Sequence, residues 1–308
     1  MIENPKDVLN LFPIRKNKNQ KQSFRDAVQS YAQSLGYSVS IEKGSIGAKN
    51  VVIGDPESAR YLVTAHYDTP AALPFPNLIT PCNFWPFLGY QLFVVVVMAA
   101  FIGVITFVAR VITADDFWVG WCAYMSIWLM LVLMLVGPAN KNNANDNTSG
   151  VVTVLEIARS LPVELRDKVC FVLFDLEEAG LIGSASYANA HKTQIKNQLI
   201  LNCDCVGDGD ELMMFPNKKT KKDANAMDAL RRICVADGRK SMALREKGFA
   251  YYPSDQKNFP YGVAIAAFRR SKWAGLYCDK IHTKRDTMLD ENNVSFLRDQ
   301  MICLISAD

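Results

Sequence analysis

From Ala71 to Ala109 the chain carries no charged residue, and the stretch closes with the run LFVVVVMAAFIGVITFVA at 92–109. Arg110 and the acidic pair Asp115 and Asp116 interrupt it, and a second uncharged block then runs from Phe117 to Asn140. Each block supplies about 20 residues at helical rise, which matches the hydrocarbon thickness of a bilayer. Trp85 stands near the entrance of the first block, and Trp118 and Trp121 near that of the second, where interfacial aromatics belong. Buried core helices, or a strand over Val94–Val97, are the alternative, because β-branched residues also suit a fully buried strand. Two such blocks separated by a short polar turn are nevertheless hard to bury within 308 residues. The pattern predicts a transmembrane helical hairpin over 84–137, inserted into one domain made of 1–83 and 138–308. Such a hairpin returns both flanks to one side of the membrane. Met1–Lys21 has no apolar core of a secretory signal, and Lys141 flanks the exit, so the flanks are expected in the cytoplasm.

Outside these blocks the charge is balanced. Lys plus Arg number 34 against 31 Asp plus Glu, and a net charge of +3 gives no basis for a nucleic-acid groove. The basic patches Arg15–Lys21 and Lys218–Lys222 read as solvated surface, or as surface near lipid headgroups. The eight cysteines include no CxxC and lie mostly in apolar runs, which fits buried free thiols in a reducing compartment.

Short apolar runs at Asn50–Ile53, Tyr61–Ala65, Lys168–Phe174, Gln198–Cys203 and Val263–Phe268 read as strands. Helical spacing appears over 22–35, from Val151 to Ala158, across Ser184–Ala190, over Ala226–Val235 and from Asn293 to Ser306. Lys141–Gly150 is Asn-rich and reads as irregular. Strands alternating with helices predict an α/β fold, with a mostly parallel central sheet and helices on both faces.

The polar signals fall where strands end. His66 and Asp68 follow YLVTA, Asp175–Glu178 follow VCFVLF, and Asp204 follows LILNC. Ligands of open α/β sheets bind beyond the carboxyl ends of the strands, so groups distant in sequence can converge there. Adjacent carboxylates behind an apolar strand repel each other unless a cation or hydrogen-bond donors satisfy them. Taken alone, these signals leave surface chemistry and helix capping open. Cys203 and Cys205 flank Asp204, and strand alternation would point their side chains away from it, as packing residues. His191 reads as a surface or structural residue.

The ordered set AHYDTP (65–70), NANDNTSG (143–150), DLEEAGLIGS (175–184), NCDCVG (202–207) and IHTKRDT (281–287) resembles the M28 metallopeptidases. That family includes co-catalytic zinc aminopeptidases and glutaminyl-cyclase relatives, with a zinc-exopeptidase fold. The resemblance implies two zinc ions bridged by Asp146, with His66 and Asp204 on one and Glu178 and His282 on the other. It implies Glu177 as general base and Asp68 as the group that orients His66, while Asn145 and Asn147 support the loop. The segment YPSDQKNF (252–259) is similar to the family's SD element, but Gln256 replaces the usual histidine. Hydrolysis of the N-terminal bond of a peptide is the expected activity. Cyclisation of an N-terminal glutamine, hydrolysis of N-acyl amino acids or lipid amides, and a membrane scaffold with a vestigial site remain alternatives.

Overall fold

The structure is a computed structural model that describes every residue except Pro74, Arg239 and Asp308. The chain opens with helices α1 (Asp7–Leu11) and α2 (Lys18–Ser34). Helix α2 begins earlier than apolar spacing predicts because Asn17 and Gln20 cap it reciprocally, each side chain accepting from the other's backbone N–H. Strands β1 (Val39–Lys43), β2 (Lys49–Ile53) and β3 (Tyr61–His66) follow.

The uncharged blocks form helices α3 (Phe84–Ile112) and α4 (Asp116–Val136), packed together and joined by the turn 113–115. Pro86 lies in the first turn of α3, where a missing N–H breaks no helical bond. Both helices are long and apolar enough to cross a membrane, and Val95, Val96, Phe107, Phe117 and Val136 are exposed on them. The chain enters and leaves this pair through a clamp. Ala71 bridges Ala139, the Ala72 amide donates to the Pro138 carbonyl at 2.8 Å, and the Asn140 amide donates to that of Pro70 at 2.9 Å.

Beyond an irregular segment come α5 (Gly150–Ser160), β4 (Val169–Phe174), α6 (Ile182–Ala190) and β5 (Leu199–Cys203). The C-terminal part supplies β6 (Glu211–Pro216), α7 (Ala224–Arg232), β7 (Ser241–Leu244), β8 (Gly262–Ser271), β9 (Gly275–Tyr277) and α8 (Glu291–Ser306). The sheet order is β1-β2-β4-β3-β5-β8-β6-β7, with β9 on β8. Its centre, β4-β3-β5-β8, is parallel as expected. Antiparallel pairing of β2 on β4 and of β6 on β8 makes the whole sheet mixed.

Alternation along the central strands β3 and β4 feeds two cores. Tyr61, Val63, Ala65, Phe171 and Leu173 pack with Phe24, Leu155 and Leu297 from α2, α5 and α8. Leu62, Cys170, Val172 and Phe174 face the other way, onto Tyr187 and Ala188 of α6. Burial on both faces explains why these strands read as continuous apolar runs.

Candidate active site

In the parallel register His66 pairs with Phe174 and Thr64 with Asn202, so β3, β4 and β5 all end on one side of the sheet. The strand-end groups His66, Glu177, Glu178 and Asp204 are therefore delivered to one place. Asp146 reaches it from the segment after the clamp, and His282 from the loop after β9. All these predicted ligands and the predicted base Glu177 line a single cavity of about 230 Å³.

Asp146 is its centre. Its Oδ1 lies 3.3 Å from His66 Nε2, and its Oδ2 lies 3.1 Å from His282 Nε2. Each imidazole has a second carboxylate beyond. Asp204 Oδ1 is 3.8 Å from His66 Nε2, and Glu178 Oε2 is 3.6 Å from His282 Nε2. Asp68 accepts from the amides of Glu177 (3.0 Å) and Glu178 (3.3 Å), which fixes the turn bearing both glutamates. Its Oδ1 is also 3.4 Å from His66 Nδ1, although no hydrogen bond is completed there. Leu176, Cys205 and His282 all adopt left-handed backbone, at φ of 56°, 57° and 59°. Such conformations are uncommon for residues other than glycine, and here they flank the glutamates, Asp204 and the cavity itself.

The loop around Asp146 is held by polar groups. Asp286 accepts from the amides of Asn145 (2.8 Å) and Asp146 (3.0 Å). Asn147 donates to the Cys203 carbonyl and accepts from the amides of Gly150 and Cys205, while Asn145 accepts from Gly207. The Asp146–Asn147 peptide is cis. Asp286 sits inside the IHTKRDT motif, yet sequence reading gave it no role.

Electrostatically the cluster lacks positive charge. Burial pushes the Glu177 carboxyl well up, and Glu178, Asp255 and Asp204 add to the effect against the opposing His66. Burial likewise brings Glu178 to about 8, with His282 opposing and Asp146 reinforcing. For the imidazoles burial acts against charge but is outweighed by carboxylates: His66 rises well above its ordinary range, and His282 reaches about 9 beside Glu178 and Asp146. A site that draws protons onto imidazoles and carboxyls alike is one that divalent cations would satisfy. The donor set suits such ions. Ligand atoms of His66, Asp146 and Glu178, and separately of His66, Glu177 and Asp204, lie within 4.8 Å of one another.

Two features depart from expectation, and Asp255 adds a third that sequence left open. Arg15 and Lys21 are buried rather than solvated. The Arg15 guanidinium donates to the carbonyls of Tyr67 (2.5 Å) and Phe12 (2.6 Å) and to Thr148 Oγ1 (3.0 Å), and Lys21 pairs with Asp175 at 2.5 Å. A pattern of charge along the chain cannot show that a loop folds inward against carbonyls behind the site. Cys205 faces Asp204 rather than away, with its thiol 3.1 Å from Asp204 Oδ1. Strand β5 ends at Cys203, and the left-handed turn at Cys205 cancels the expected alternation. Asp255, in the SD element, is fully buried with neither oxygen hydrogen-bonded among the described residues, and burial raises it to about 7. Gln256 beside it donates to the Tyr252 carbonyl. His191 is structural as expected, stacked on Tyr187 and bonded to Glu42 at 2.9 Å.

The wall of the cavity was also unforeseen. Phe87, Tyr90 and Gln91, from the first turns of α3, line it together with the carboxylates.

Fold and cluster together define a hydrolase of the α/β metallopeptidase class. Residues 132–304 match Peptidase family M28, and the chain belongs to that family. No curated protein matches it in sequence. Among solved structures, it is similar to the glutaminyl cyclase of Porphyromonas gingivalis, with 18% identity and a TM-score of 0.62, over 98% of this chain and 95% of that one. The Bacteroides thetaiotaomicron glutaminyl cyclase is similar at 15% identity and a TM-score of 0.60, over 99% and 95%. So is the Legionella pneumophila LapA aminopeptidase, at 14% and 0.58, over 99% of this chain and 70% of that one. At these identities the likeness is one of fold.

Proposed function

We propose that this chain is a membrane-anchored zinc aminopeptidase that hydrolyses the N-terminal bond of peptides. The observation that carries the reading is the division of Asp146, whose two oxygens face two different histidines, each backed by its own carboxylate. That arrangement suits a pair of ions: His66 and Asp204 would hold one, Glu178 and His282 the other, and Asp146 would serve both. Zinc bound there would supply Lewis acidity, polarising the amide carbonyl and acidifying water.

The remaining chemistry belongs to the chain. Glu177 lines the cavity as the residue placed to take a proton from water and return it to the departing amine. Asp68 keeps His66 and the glutamate turn in register.

The anchoring element is the hairpin 84–137, with the catalytic residues 1–83 and 138–308 on the cytoplasmic side. Support comes from the length and outward apolar surface of α3 and α4 and from Lys141 at the exit.

A second reading has its own observation. The two glutaminyl cyclases are matched over 95% of their length. Attack by a substrate's own α-amine on its glutamine side chain would release ammonia instead of an amino acid. Product masses from a glutamine-led peptide separate the two. Loss of the first residue supports the peptidase, and an intact peptide lighter by ammonia overturns it. Glu177→Gln should retain zinc but lose turnover; parental rates in that variant would exclude the base assignment.

A further inference from the structure

The catalytic cavity is small. At about 230 Å³ it falls below the roughly 300–1,000 Å³ of an ordinary small-molecule site, so it admits the end of a substrate rather than its length. Beside it runs a second, apolar groove of about 660 Å³. Leu78 and Tyr90 line both. Tyr90 is fixed there by its hydroxyl, 3.1 Å from the Pro76 carbonyl and from Asn77 Oδ1, so the dividing wall is a held ring. The rest of the groove includes Trp85, Pro86, Gly89 and Phe93 of α3, with Trp273 of the β8–β9 turn.

Two features join this groove to the outward apolar surface of the hairpin. Positions 86, 89 and 93 share one side of α3, while Phe87 and Gln91 turn toward the catalytic cavity, so a single helix serves both. Trp273 is 91% exposed at the tip of a tight turn next to Lys272, and Trp85 is 75% exposed at the base of α3. A basic residue and two tryptophans beside an apolar helix compose an interfacial edge rather than a watery one.

We propose that this groove is an apolar subsite that takes an aliphatic chain carried by the substrate beyond the scissile bond, so that the enzyme draws its substrates from the bilayer. The inference rests on the aminopeptidase reading. That reading places the free amine and first residue in the small cavity, which leaves only the departing portion to cross Leu78 and Tyr90 into the groove.

The test uses the full chain in one detergent and a series of alanyl-alanine N-alkylamides with free amines, from ethyl to dodecyl. A few methylenes buried in the groove lower KM by about tenfold or more from ethyl to dodecyl. Gly89→Leu fills the groove, because a Cβ at Gly89 meets nothing within 4 Å, and it suits a helix interior. That variant should collapse the ethyl-to-dodecyl KM ratio, and Trp273→Ser, at an exposed turn, should reduce it. Hydrolysis of all the amides with one KM overturns the subsite and leaves the peptidase standing. A ratio unchanged in both variants also overturns it, because partition into micelles then explains the trend. Failure to hydrolyse any of the amides overturns the peptidase reading, and the subsite with it.

Discussion

Asp286 grips Asp146 by its backbone: one carboxylate oxygen accepts the Asp146 amide at 3.0 Å, and the other accepts that of Asn145 at 2.8 Å. Neither contact touches the Asp146 carboxylate, which stays free to face the two histidines. Burial, with the charge of Asp146 adding to it, raises Asp286 to about 7, so the grip is maintained against an electrostatic cost.

Replacing Asp286 with asparagine leaves one acceptor where two amides need one each, and turns an NH₂ toward an N–H. Zinc affinity is expected to fall about 10–100-fold, the usual consequence of losing a group that orients a ligand. Competition with a chromophoric chelator measures it, and an unchanged affinity would assign Asp286 to folding alone.

Arg15 is fully buried and serves the Tyr67 and Phe12 carbonyls and Thr148 together. Arg15→Met strands these acceptors, and at roughly 1–3 kcal/mol for each unsatisfied group the loss should be about 3 kcal/mol or more. Arg15→Lys should recover little, since one ammonium cannot span the same fork. Urea unfolding in detergent reads both.

The Tyr37 hydroxyl donates to the Ala158 carbonyl at 2.8 Å, and burial lifts it to about 12 despite the Arg166 guanidinium nearby. A phenol whose folded pKa exceeds its unfolded value of about 10 contributes stability that is complete below pH 10 and lost as pH rises through 12. Tyr37→Phe should cost about 1 kcal/mol at neutral pH and then lose less than the parent between pH 10 and 12, so that the stability curves converge. Parallel curves would remove Tyr37 from the alkaline limb.

Val96 is exposed in the middle of α3. In a bilayer Val96→Arg costs roughly 2.5–3.5 kcal/mol, and vesicle flotation should show a clear shift of the chain out of the membrane fraction. In a water-facing helix the same change would only improve solubility.

How much of this was legible in the sequence depended on whether a residue acts along its own strand or across the fold. The ends of β3, β4 and β5 were readable because runs buried on both faces leave a clear apolar signature, and His66, Glu177 and Asp204 follow directly. Asp146 and His282 stand in loops without periodicity, and family resemblance singled them out. Arg15 and Asp286 were missed because their partners are backbone atoms 52 and 140 residues away, which no local pattern records. Cys205 was misread because one left-handed residue reversed an alternation that would otherwise hold. Strand β6, with Met213 and Met214 at its centre and a proline at its end, lacks the β-branched composition that announces a strand.

The clamp below the helix pair has a consequence for modularity. Ala71 and Ala139 are locked side by side, so the separation of His66 and Asp146, just outside that lock, is indifferent to the length or tilt of whatever rises above it. Exchange of the helices is therefore expected to leave the spacing of His66 and Asp146 unchanged. What changes with the helices is the doorway, because the first turns of α3 furnish one jamb.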